Sequence, residues 1–271
     1  MLYNLLFRCA SETLLEIAAD FQHLGARIAI LAVLHSWSQM LTLHPHLHCI
    51  VPGGGLSIDG DWWVGSRPDF FLPVRVLSRL YRGKMLAALK AAVVAEELPS
   101  SHLPALDPLY HKEWVVYSKP PFGGPEQVLA YLARYTHRVA ITNKRLVRIE
   151  GDEVTFTWKD YADDHRQREM TLTGEEFLRR FLLHVLPDRF VRIRYYSLFA
   201  NRQREKALAL CREVLPGRPA RRSKIDKADW RELLQRLTGI DPTRCEVCGQ
   251  TGMRLVGELK PQRTSGRGPP G

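Results

Sequence analysis

Residues 41–56 read "LTLHPHLHCIVPGGGL", placing His44, His46 and His48 at alternate positions just before an apolar run and three glycines. On a β-strand, residues two apart share a face. His46 and His48 can therefore present parallel imidazoles, with Leu47 turned to the opposite side. Residues 47–58, "LHCIVPGGGLSI", are expected to form a strand ended by Pro52 and the glycines. His44 precedes Pro45 and is assigned to the loop before it, which makes it a weaker ligand candidate. Upstream, "RIAILAVLHSW" at 27–37 is a continuous apolar run rich in Ile and Val, the pattern of a buried strand. A connection of about ten residues lets the two strands pair as an antiparallel hairpin. His35, at the end of the first strand, then becomes a cross-strand neighbour of the His46/His48 pair. Two ligands seldom hold a divalent ion, and His35 supplies the third. Isolated His-x-His pairs also occur as surface or hydrogen-bonding histidines, and the pair by itself does not decide between these readings.

Working outward, residues 1–22 read as an amphipathic helix. Arg8, Glu12 and Glu16 interrupt its apolar pattern, which fits such a helix better than a signal peptide. There is no run of about 18 uncharged apolar residues of the kind a membrane helix needs. A cytoplasmic, nucleoid-associated protein is expected. Residues 74–98 have helical periodicity, 113–119 ("EWVVYSK") look like a short strand, and Pro125 opens a helix over 125–140. Residues 145–161 form a hairpin turning at Gly151 and Asp152. Residues 168–186 give a strand and then a helix capped near Thr173. A strand at 189–200 and a basic helix at 201–215 follow. The fold class is α+β. Residues 1–215 make the main domain, 216–240 a basic linker with a short helix around Trp230–Leu237, and 241–271 a Cys-x-x-Cys segment with a disordered tail.

Charge narrows the function. The chain of 271 residues carries 39 Lys and Arg against 29 Asp and Glu, a formal charge of +10. Such an excess suits a polyanion, with nucleic acid the first candidate. Five cysteines, scattered except for Cys245 and Cys248, do not make a disulfide framework and fit a reducing compartment.

The 125–140 helix carries Tyr131 and Tyr135, four residues apart and so on one face. Aromatics at that spacing are usually core. Here they stand among Arg134, His137 and Arg138, with Lys144 and Arg145 just beyond, a set suited to contacting phosphates. A tyrosine hydroxyl titrates near pKa 10 and needs a base or nearby cation to act as a nucleophile. A metal held by the histidines could polarise a phosphodiester opposite it.

Residues 43–57 ("LHPHLHCIVPGGGLS"), 119–146 ("KPPFGGPEQVLAYLARYTHRVAITNKRL") and 175–204 ("EEFLRRFLLHVLPDRFVRIRYYSLFANRQR") resemble the two-tyrosine transposases of rolling-circle insertion sequences. These belong to the HUH endonuclease superfamily, and the similarity runs over residues 1–215. The resemblance implies an antiparallel sheet flanked by helices, with a further C-terminal helical region. It also implies Mg²⁺ or Mn²⁺ held by His46 and His48, and single-stranded DNA at transposon ends and target as substrate. Tyr131 and Tyr135 match the family's paired nucleophiles, which form 5′-phosphotyrosine intermediates. Members usually carry an N-terminal zinc-binding domain, so the chain is expected to be a fragment or a truncated copy. Cys245 and Cys248 are half of a four-ligand zinc site, and zinc is not expected in this chain on its own.

Three readings follow. The first is an active single-strand nicking transposase. The second is a catalytically inactive DNA-binding remnant of one. The third is a metal-dependent hydrolase using His35, His46, His48 and water, which has no use for paired tyrosines. His35, His46 and His48 are expected to converge on one point. Gln127, one helical turn before Tyr131, replaces His35 should the latter lie remote.

Overall fold

The computed structural model describes residues 1–68, 70–119, 124–136, 140–215, 235, 241, 243–245 and 248–252, with side chains described throughout except at 125 and 133–136. The chain divides into two units, Met1–Ala220 and Arg221–Gly271.

The first unit opens with α1 (Leu2–Ala19), then β1 (Ala26–Arg27), β2 (Ala29–Trp37), β3 (Leu43–Ile50), β4 (Gly54–Ser57) and β5 (Trp63–Gly65). Next come α2 (Val74–Val94), the single-turn α3 (Leu103–Leu106), α4 (Pro125–Thr136), β6 (Leu146–Glu150), β7 (Glu153–Asp160) and β8 (Arg166–Thr173). The described part ends with α5 (Gly174–Leu182), β9 (Ile193–Ser197) and α6 (Arg204–Val214). The class is α+β, and all strand pairs are antiparallel. Among the described residues the strands form three sheets, with orders β1-β4-β5, β3-β2-β9 and β6-β7-β8, where one sheet had been expected.

Central to the site is β2, which pairs with β3 on one side and β9 on the other. Because β2 is central and its residues are apolar at nearly every position, it is buried along most of its length. Its Ile30, Ala32 and Leu34, together with Leu47 and Cys49 of β3, pack against Phe7 and Ile17–Ala18 of α1. Alternation puts Val33 and His35 on the other face. Pro45 is tolerated within β3 because β3 is an edge strand and a missing donor there breaks no ladder.

Four expectations are corrected. The strand expected at 47–58 is two strands in different sheets, broken at 51–53. The glycines do not merely end a strand. Gly54 has φ +147°, and a Cβ there would collide with the Val64 carbonyl, so β4 can lie against β5 only with glycine at this position. His44 lies inside β3, not in the loop. Residues 113–119 belong to no sheet. That segment is instead tied to α2, where Ser78 Oγ donates to the Trp114 carbonyl at 2.5 Å and Arg82 Nη1 donates to the Lys112 carbonyl at 2.6 Å.

Elsewhere the local rules hold. The β6–β7 hairpin turns at Gly151, φ +57°, and Asp152. Thr173 caps α5, its Oγ1 accepting from the Glu176 amide at 3.3 Å. Among the described residues, no helix is long and apolar enough to cross a membrane.

In the second unit, Arg244 and Thr251 form an isolated antiparallel bridge. The Cys245 amide donates to the Gln250 carbonyl and the Gly249 amide to the Cys245 carbonyl, at 2.8 and 2.9 Å. Cys245 and Cys248 both fall between the two bridged residues in the chain. The linker at 216–224, most of the helix expected around Trp230–Leu237 and the tail lie outside the described residues.

Candidate active site

The β2–β3 register builds the site. His35 is paired with His46 and Val33 with His48, so the three histidines occupy the sheet face turned away from α1. Their ring centroids are 4.4 Å (His35–His48), 5.0 Å (His46–His48) and 5.6 Å (His35–His46) apart. One ligand nitrogen from each lies within 4.8 Å of the others. Nitrogens about 2.1 Å from a shared ion stand on the order of 3 Å apart, so modest ring rotations close the set. Among the described residues this is the group of three or more ligand-type side chains able to hold a metal ion.

The protonation pattern also fits a cation. His46 Nδ1 lies 2.7 Å from the His44 carbonyl, which can only accept, so Nδ1 carries the proton and Nε2 keeps its lone pair. Backbone support of this kind orients a metal-binding imidazole. Burial lowers the His46 pKa, with the charge of His44 adding to it and the His44 carbonyl opposing it. The lowered pKa favours the neutral ring, the form that binds a metal. His35 is 2 % exposed, and its ring stacks on Trp37 at 4.6 Å between centroids and 18° between planes. Next to His48, Cys49 is no rival ligand. Its thiol points to the α1 side, and burial pushes its pKa up to about 12.

Helix α4 supplies the nucleophile candidate. Tyr131 is half-buried and its Oη lies 3.3 Å from His48 Nδ1. The structure thus brings together His35, His46, His48 and Tyr131. Tyr135 and Arg134 lie on the same helix, but their side chains are outside those described, and His137 and Arg138 lie outside the described residues altogether. Gln127 is exposed on α4, and Lys144 is exposed in the turn before β6.

Arg145, expected on a phosphate-contacting rim, points inward. Its Nε donates to the Thr157 carbonyl at 2.8 Å, its Nη1 to Ala140 at 3.4 Å and its Nη2 to the Gln39 carbonyl. The sequence reading missed Trp37, the His44 carbonyl and His184. The first two could have been read from strand alternation. His184 could not, because it joins the site through a contact 148 residues away in sequence.

A family model, Y2_Tnp, described as "Putative transposase", matches residues 29–207, a span that contains the three histidines and both tyrosines and leaves out Cys245 and Cys248. A relative from Sinorhizobium fredii, "Putative transposase y4qJ", is 52 % identical over 268 residues, covering 94 % of this chain and 67 % of the relative. "Transposase for insertion sequence element IS801" from Pseudomonas savastanoi pv. phaseolicola is 27 % identical over 265 residues, covering 92 % of this chain and 60 % of that protein. The chain therefore spans about two thirds of the length of these relatives. No solved structure matches it.

Proposed function

The chain belongs to the Y2_Tnp family of transposases, and from that premise we propose that it nicks and rejoins single-stranded DNA through a covalent tyrosine intermediate. The observation that carries this reading is the Tyr131 hydroxyl, 3.3 Å from His48 on the edge of the histidine cluster. A phenol beside a metal-type ligand set is placed for attack on a phosphate that the set would hold.

In this reading His35, His46 and His48 would hold one divalent cation, whose positive charge would be available to a phosphate oxygen as negative charge develops there. An all-imidazole set is a better match for Mn²⁺ than for Mg²⁺, which prefers oxygen ligands and retains its water. In the tautomer that leaves Nε2 free for the cation, His48 donates its Nδ1 proton to Tyr131 Oη. That bond orients the oxygen and stabilises the phenolate. Tyr131 Oη gives up its own proton to solvent and attacks phosphorus in line, the P–O3′ bond breaks, and the departing 3′ oxygen takes up a proton from solvent. The products are a 5′-phosphotyrosine and a free 3′-hydroxyl. Bond energy is kept in the ester, so a 3′-hydroxyl can reverse the step and join a different strand. Tyr135, four residues on, would serve a second cleavage. The +10 charge favours approach to DNA, and Lys144, Arg134, His137 and Arg138 are the cations proposed to meet phosphates. In this reading the protein would work in the cytoplasm, at the nucleoid.

The test is a covalent-adduct assay with labelled single-stranded oligonucleotides tiling the ends of the element that encodes the chain, in Mn²⁺. The full chain should give a protein–DNA band that survives denaturation. Tyr131→Phe, which keeps the ring and removes the nucleophile, should lose most of it, and Tyr131→Phe with Tyr135→Phe should lose all. Cleavage by the double variant would make water the nucleophile and a hydrolase the better reading. DNA binding by the parent chain with no adduct at any end sequence would favour an inactive remnant.

A further inference from the structure

The turn that joins the two histidine strands is held by side chains from another layer of the fold. Its three successive carbonyls each accept from a different residue. Arg145 Nη2 donates to Gln39, Arg180 Nη1 to Met40 at 3.1 Å, and His184 Nε2 to Leu41 at 3.0 Å. Arg145 precedes β6, Arg180 lies on α5 and His184 just after it. Leu41 itself has φ +59°, a left-handed conformation that a leucine adopts only when its surroundings impose it. Its side chain is fully buried against Phe156 of β7.

His184 does more than hold the turn. Because Nε2 donates to a carbonyl, Nδ1 is the bare nitrogen and accepts from Ser36 Oγ at 3.2 Å. Ser36 lies where the β2–β3 register shifts, between His35 and Trp37. One buried imidazole thus bridges the bulge beside His35 to the far end of the turn. A bulge re-aims the side chains around it, and here it accompanies the stacking of Trp37 on His35 and the pairing of His35 with His46.

We propose that His184, with Arg145 and Arg180, is a positioning residue of the metal site: it locks the 36–41 bulge and turn in the register that holds His35 against His46 and His48. The inference rests on the metal-dependent reading above. All three side chains bond backbone carbonyls of the turn. They act through the backbone that carries the ligands, which is why Arg145 is better placed here than on a phosphate rim.

Two measurements on the full chain test it, Mn²⁺ titration followed by the loss of the free-ion electron paramagnetic resonance signal, and hydrogen exchange of the amides at 42–48 without metal. In His184→Leu, which keeps bulk and removes both bonds, the Mn²⁺ dissociation constant should rise about tenfold, at the low end for lost ligand support. Exchange at 42–48 should quicken about tenfold, while α1 amides stay protected. His184→Gln places an amide donor near the Nε2 position and should recover most of both. Parent-like values in folded His184→Leu, or equal damage in the Gln and Leu variants, would overturn the proposal. If His184→Leu does not fold, Ser36→Ala decides instead, since it removes one hydroxyl from the same bridge. A several-fold loss supports the lock and parent-like behaviour refutes it. Should the parent chain bind no Mn²⁺, the metal reading fails, and the exchange result alone decides whether the lock exists.

Discussion

Leu41 allows a quantitative check of how the histidine hairpin is anchored. Its side chain is 0 % exposed and packs with Phe156 and Ala140, flanked by Trp37, Trp158 and Phe177. Leu41→Ala deletes three buried carbons and leaves their space behind, because the aromatic walls around it belong to separate elements and cannot all close in. Leucine-to-alanine changes at such sites cost about 2–5 kcal/mol, and a site with rigid aromatic walls belongs in the upper half, near 4. The φ of +59° adds a second handle. Alanine keeps that strain, whereas glycine is free of it and regains roughly 1–2 kcal/mol. Against this, Leu41→Gly loses one more carbon, about 0.8 kcal/mol, and about 0.5–1 kcal/mol of chain entropy. The two variants should therefore lie within about 1 kcal/mol of each other, although glycine elsewhere is the more damaging replacement. Urea denaturation followed by tryptophan fluorescence gives both values from the midpoints and the common slope. A Leu41→Ala cost below about 1 kcal/mol would mean the turn is not plugged into the β6–β7–β8 layer. A glycine variant 2 kcal/mol worse than alanine would mean that residue 41 does not adopt the left-handed conformation.

Two further outcomes are expected. Gly54→Ala should cost about 2 kcal/mol or more, since its Cβ meets the Val64 carbonyl at a φ of +147°; a neutral change in the denaturation midpoint would contradict the β4–β5 contact. Burial lowers the folded-state pKa of both His46 and His184 below the ordinary 6.5, so as pH falls through about 6.5 the unfolded chain takes up protons that the folded chain refuses. Their contribution to stability is complete above that pH and declines below it. Urea midpoints between pH 7.5 and 5.5 should fall less steeply in His184→Gln than in the parent chain, and equal slopes would remove His184 from the account.

Much of the site could be read from residues near one another in the chain, because strand and helix periodicities are local properties. Alternation alone places His46 and His48 on one face of β3, and a short connection is enough to set His35 opposite them. The α5 cap at Thr173 and the turn at Gly151 likewise follow from their own few residues. Other features depend on partners that local sequence does not name. Nothing in "GGGLS" says that β4 leaves the histidine sheet to pair with β1 and β5, since that choice is made by strands before and after it in the chain. The apolar pattern of 113–119 fits a strand equally well, but α2 donates to the Trp114 carbonyl and to that of Lys112 just before the segment. A charged guanidinium beside the tyrosine helix reads as a phosphate ligand until the fold brings the Gln39, Ala140 and Thr157 carbonyls around Arg145. His184 lies within the 175–204 stretch, but nothing in its neighbours says what its ring meets. Periodicity determines which side of an element a residue faces. Only the packing of distant elements determines what stands on that side, and at Ser36 and Leu41 that partner is His184.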